Sequence, residues 1–67
     1  MDNMAVREVK AGLEAARTRR EVEVAAVVCA WVLPVIEADR LIASVYAGDS
    51  EKLGWADAAL GGTLWCA

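Results

Sequence analysis

The sequence predicts an all-α protein of 67 residues, with two or three helices that kink or break at Pro34 and form a small hairpin or bundle completed by partner subunits. Three observations carry that expectation. Apolar residues recur at three- and four-residue spacing near the N-terminus, Val6, Val9, Leu13 and Ala16, which is one stripe of an amphipathic helix. The uncharged run VAAVVCAWVLPVI, residues 24–36, is divided by the chain's single proline. No hairpin turn followed by a second alternating segment is present to build a sheet.

The first helix is expected to start behind Asp2 or Asn3 as N-cap, with Lys10 and Glu14 paired on its polar side. Gly12 weakens it and reads as tolerated rather than required for a close crossing. The basic cluster Arg17 to Arg20 is bracketed by Glu14, Glu21 and Glu23, and the spacing predicts Arg17–Glu21 and Arg19–Glu23 pairs on a solvated helix face. The segment EVEVAAVV alternates like a strand, yet Val24, Val27, Val28, Trp31 and Val35 also share a helical face. A lone strand would leave its backbone donors unpaired, so a helix is expected up to about residue 33; whether it is continuous with the first, from about residue 4, is left open.

Pro34 lacks an N–H and clashes with the carbonyl of Ala30, so the helix must kink or stop there. Proline also suits the first position of a new helix. PVIEADRLIASVYAG reads as that helix, with Glu37 and Asp39 at its positive end, Ile36, Leu41, Ile42 and Val45 on its apolar side, and Gly48 as the C′ residue. Asp49 or Ser50 then caps a weaker segment, SEKLGWADAAL, expected to be interrupted at Gly54 and ended by Gly61-Gly62. Residues 61–67 form an apolar tail, docked or flexible. The whole chain is one small domain.

A domain of this length hides only about 60% of its unfolded surface, and the 58% apolar content exceeds what so small a body can cover. The excess points towards a partner. Net charge is −3, which disfavours nucleic acid. Two distant cysteines, Cys29 and Cys66, form neither a disulfide framework nor a CxxC site, and whether they pair is left open. The polar start of the sequence lacks a secretory pattern, so a cytoplasmic location, or one inside an intracellularly assembled particle, is expected. The uncharged run is shorter than the roughly 20 residues a bilayer span needs.

Catalytic equipment is sparse. There is no histidine, no phosphate-binding loop and no nucleophile elbow. Glu37 and Asp39, two apart, fall on different helix faces and read as first-turn charges. The expectation is therefore a non-enzymatic protein with no catalytic, cofactor-binding or metal-binding residues; Cys66 is the only nucleophile that could be nominated, and nothing in the sequence activates it.

One tail feature is more specific. ALGG followed by TLWCA resembles the double-glycine junction of leader peptides, which implies a helical leader ending at Gly61-Gly62 and a core, Thr63–Ala67, modifiable at Thr63 and Cys66. AWV and IEADRLIASV are similar to short stretches of the gas vesicle shell protein, but the strand hairpin that separates them in that family is missing, so no residue is carried across.

The functional expectation is a small helical subunit of a homo- or hetero-oligomeric assembly, such as a virion or multisubunit complex. Its partner-binding residues are Val24, Val27, Val28, Trp31, Val35, Leu64 and Trp65, and the partner is protein, either another chain or a second copy. Two alternatives stand beside it: a precursor peptide cut at the Gly-Gly junction, and membrane association through the kinked helix around Pro34 with tryptophans at the interface.

Overall fold

A computed structural model describes residues 3–62, apart from the side chain of Asn3. The described residues form four helices and no strand: α1 (Asn3–Ala15), α2 (Arg19–Val32), α3 (Val35–Val45) and α4 (Ser50–Ala59). The expected all-α class holds, but there are four helices rather than two or three. Asp2, as a candidate N-cap, and the tail from Thr63 to Ala67 lie outside the described residues.

Continuity between the first two helices is decided at Thr18. The chain leaves helical geometry after Ala15 and restarts behind an extended Thr18 (φ −99°, ψ 163°), so the two are separate. Thr18 and Glu21 form a capping box. The Glu21 N–H donates to the Thr18 hydroxyl at 3.2 Å, while the Glu21 carboxylate accepts from the N–H groups of Thr18 at 3.2 Å and Arg17 at 2.8 Å. The Glu21 carboxylate therefore serves backbone donors rather than the Arg17 guanidinium. The Arg19–Glu23 pair does form, at 2.9 Å.

Pro34 ends one helix and starts the next. Leu33, the residue before it, is extended (φ −114°, ψ 153°), as the proline ring demands of its neighbour. Pro34 is itself the N-cap of α3, one position earlier than expected, and its carbonyl accepts the first helical bond from Ala38 N–H at 2.9 Å. At the other end Gly48 (φ 85°) follows the C′ residue instead of occupying it: Tyr46 is the C-cap, and Asp49 N–H returns to Tyr46 O at 2.9 Å. Positive φ at Gly48 lets the chain reverse within this turn.

Gly54 does not interrupt α4. Asp49 caps its start by accepting from Lys52 N–H at 3.2 Å, and Gly61 and Gly62, at φ 75° and 84°, close its end. Gly62 N–H reaches Asp57 O at 2.8 Å and Gly61 N–H reaches Ala58 O at 3.2 Å, the paired bonds of a Schellman motif. Both ends being capped, and Ala56 being fully buried, offset the roughly 1 kcal/mol that a mid-helix glycine costs.

Helices α2 and α3 each touch all three others, whereas α1 and α4 flank them. The expected stripe of α1 does face inward: Leu13 is fully buried, Val9 and Ala16 nearly so, and Val6 packs against them. From α2 come Val22, Ala26 and Cys29, from α3 Ala38 and Ile42, and from α4 Ala56. Ile36, expected on the apolar side of α3, is instead exposed, because the turn at Pro34 aims Ala38 and Ile42 at the core.

One corner binds the termini of these elements together. Tyr46, at the end of α3, donates its hydroxyl to Leu13 O at 2.7 Å, and Lys52 of α4 donates to Ala16 O at 3.1 Å with its ammonium 5.8 Å from the Tyr46 ring. Both acceptors are carbonyls at the C-terminal end of α1, where the negative end of the helix dipole lies; Leu13 O also accepts from Ala16 N–H at 3.3 Å, so the Tyr46 bond is its second. The last turn of α1 has no basic residue of its own, so a cation from α4 supplies the complement.

Burial, and then the Asp49 carboxylate, push the Tyr46 phenol above its ordinary range. The folded state thus holds that proton more tightly than the unfolded chain, and the stability it adds is complete below about pH 10 and is lost as pH rises beyond it. Tyr46→Phe is expected to cost about 1 kcal/mol at neutral pH and to flatten the alkaline loss, read from urea midpoints between neutral and alkaline pH. Identical alkaline slopes for the two proteins would contradict this.

The capping box titrates in the opposite sense. Hydrogen bonds from the Arg17 and Thr18 N–H groups hold the Glu21 carboxyl below its usual value, so its contribution is present above about pH 4.3 and is lost as pH falls below it. Thr18→Ala is expected to cost about 1 kcal/mol in urea unfolding. Glu21→Gln is expected to shallow the acid limb of the stability profile, and an unchanged limb would remove Glu21 from the cap.

Candidate functional site

The interior offers no reactive centre. Among the described residues no three or more His, Cys, Asp or Glu side chains gather in a way that could hold a metal ion. Cys29 is a free thiol and fully buried, and burial together with the Asp39 carboxylate raises its pKa. A thiol kept neutral and covered is a small core hydrophobe, not a nucleophile. Cys66 lies outside the described residues.

The unusual feature is on the surface of α2. At about 100° per residue, Val22, Ala26 and Cys29 cluster on one side of the helix and Val24, Val28 and Trp31 on the opposite side. Both sides are apolar, and the bundle covers only the first. Val24, Val28 and Trp31 are exposed, Trp31 to 81%, and the surface continues across the Pro34 break through Val32, Val35 (62%) and Ile36 (66%). Six exposed large apolar residues within positions 24–36 exceed the singly scattered surface hydrophobics of an ordinary monomer.

Beside this ridge runs an open groove of about 720 Å³ between α1 and α2. Val9, Gly12, Ala15, Ala16, Val24 and Val28 are among its walls, and Glu8, Arg20 and Glu21 give it a polar rim. It exists because α1 presents small side chains where it passes α2. A Cβ added at Gly12 would meet nothing within 4 Å, so no neighbour within the chain requires that glycine. On the far side of the Val24–Val28 ridge a shallower depression of about 350 Å³ is lined by Glu23, Val27 and Trp31.

Of the residues expected to bind a partner, Val24, Val28, Trp31 and Val35 stand together on this exposed face, and Val27 is half-buried at its edge. Leu64 and Trp65 lie outside the described residues. Val32, Ile36 and the α1 wall of the groove extend the surface beyond those expectations. The small residues Gly12, Ala15 and Ala16 were visible in the sequence, but only the crossing of α1 and α2 makes them a groove.

Among the described residues no helix is long and apolar enough to cross a membrane. Comparison with protein-family models, curated proteins and solved structures finds no match for this chain. The exposed face of α2 is thus read on its own chemistry.

Because Cys29 is covered, peptide-resolved labelling with a thiol reagent is expected to modify it only as the fold opens, at a rate that climbs with urea. Rapid labelling of Cys29 in the absence of denaturant would show that the core is open.

Proposed function

We propose that this protein is a non-enzymatic interaction subunit, which docks onto a protein partner through the apolar face formed by α2 and the start of α3. One observation carries the reading: α2 is apolar on two opposite sides and its own bundle covers one of them. A helix apolar all round normally sits in a core, and the missing half of that core is a partner's surface. Trp31 at the middle of the patch is the residue type that most often anchors such contacts. Charged residues stand at the edges, Glu23 and Arg20 on α2 and Glu37 on α3, as in a polar rim around an apolar centre.

The test is a photocrosslinking amino acid at position 31 in the full chain, expressed in its producing cells and activated by light. A discrete protein adduct is expected from position 31 and none from Arg7, an exposed position on α1. If position 31 yields no protein adduct, the docking reading is wrong.

A further inference from the structure

The exposed face of α2 has two flanks. Ala25 and Val32 stand on the α1 side and line the groove, whereas Glu23, Val27 and Ala30 stand on the opposite flank and are half-buried. Among the described residues the backbone of α4 packs on α2 and does not approach α1, so the side of α2 that it covers is the one away from the groove. Helix α4 starts with Lys52 bonded to Ala16 O, just ahead of the N-cap of α2, and Leu53, Ala56 and Leu60 keep it against the core along its length. Its ten residues rise about 15 Å, which alongside α2 carries its end level with Val27 to Trp31, the residues that line the depression of about 350 Å³. Gly61 and Gly62, both at positive φ, then turn the chain off the axis of α4. The sequence that follows, TLWCA, carries no charge and places a leucine and a tryptophan two and three residues beyond Gly62.

We infer that Leu64 and Trp65 fold back over the Val27–Trp31 flank of α2 within the same chain, as an internal strap that a docking partner has to displace. The strap stands on its own observations; its competition with a partner rests on the docking reading above.

Reach and chemistry agree. Two or three extended residues span about 7–10 Å and packed helices lie about 8–10 Å apart, so both side chains arrive at α2 without any movement of α4. The depression is apolar with Glu23 at its edge, and the strap brings no second charge to it. A short link makes the encounter intramolecular, at an effective concentration on the order of mM, so a seat too shallow to hold a free peptide is still occupied. The α1–α2 groove is the wrong seat, since the ridge of Val24 and Val28 stands between it and the α4 side of α2.

A photocrosslinking amino acid at position 65 of the purified full chain tests the strap. The expected product keeps the mass of a single chain, with position 65 linked to the peptide from Glu23 to Trp31. Val28→Asp puts a charge on the exposed ridge and is expected to lower the yield at least about fivefold, with helical circular dichroism unchanged. Should that variant fail to fold, Trp31→Ser, at a position four-fifths exposed, takes its place with the same expectation. No link, a link to another part of the chain, a product of doubled mass, or a yield indifferent to the substitution overturns the strap.

The competition is read from the partner adduct formed at position 31. Trp65→Ala is expected to raise that adduct at least about twofold, and an unchanged yield overturns the competition. No adduct at position 31 in either chain sinks the docking reading and the competition with it, while the link from position 65 still decides the strap.

Discussion

The fold depends on how the end of α1 is closed. Leu13 O, which also accepts from Ala16 N–H, takes a second donor from Tyr46, and Ala16 O takes one from Lys52, residues 33 and 36 positions further along the chain. A buried carbonyl without a donor costs on the order of 1–3 kcal/mol, a large share of the stability available to a domain this small. These bonds therefore tie the order of the chain to its packing. With α1 stopped at Ala15, α2 has to begin again behind Thr18, and the end of α3 and the first turn of α4 are held at the same corner.

The core built around that corner is made largely of small side chains. Alanine supplies four of the eleven buried apolar positions, Ala16, Ala26, Ala38 and Ala56, while Trp31, Val35 and Ile36 face out. Short side chains let helices approach closely, so four short helices can share one interior without the volume that aromatic residues would fill. The same economy leaves the large side chains of residues 24–36 surplus to the bundle. The radius of gyration of 10.5 Å is close to the roughly 11 Å expected for a compact domain of this length.

The exposed face and the groove belong to one arrangement. Gly12 and Ala15 on α1 keep a channel open beside α2, and the valines that line it also form the ridge from which Trp31 projects. Concave and convex apolar surface thus lie within about 10 Å of each other on one helix.

What the sequence alone determined is local in its physics. Helical spacing in α1, the break that Pro34 forces through its missing N–H and its effect on Leu33, and the excess of apolar residues over the surface a short chain can hide were all legible without coordinates. The Thr18–Glu21 capping box was also written there, as a threonine three residues before a glutamate, but competed with an equally local i,i+4 pairing of Arg17 and Glu21; the extended backbone at Thr18 decided between them. Tertiary structure alone settled which side of α2 would be covered, since both sides are apolar and periodicity cannot rank them. It also brought Tyr46 and Lys52 to the end of α1, because the partners of a helix terminus are chosen by where distant helices cross, which no spacing along the chain records.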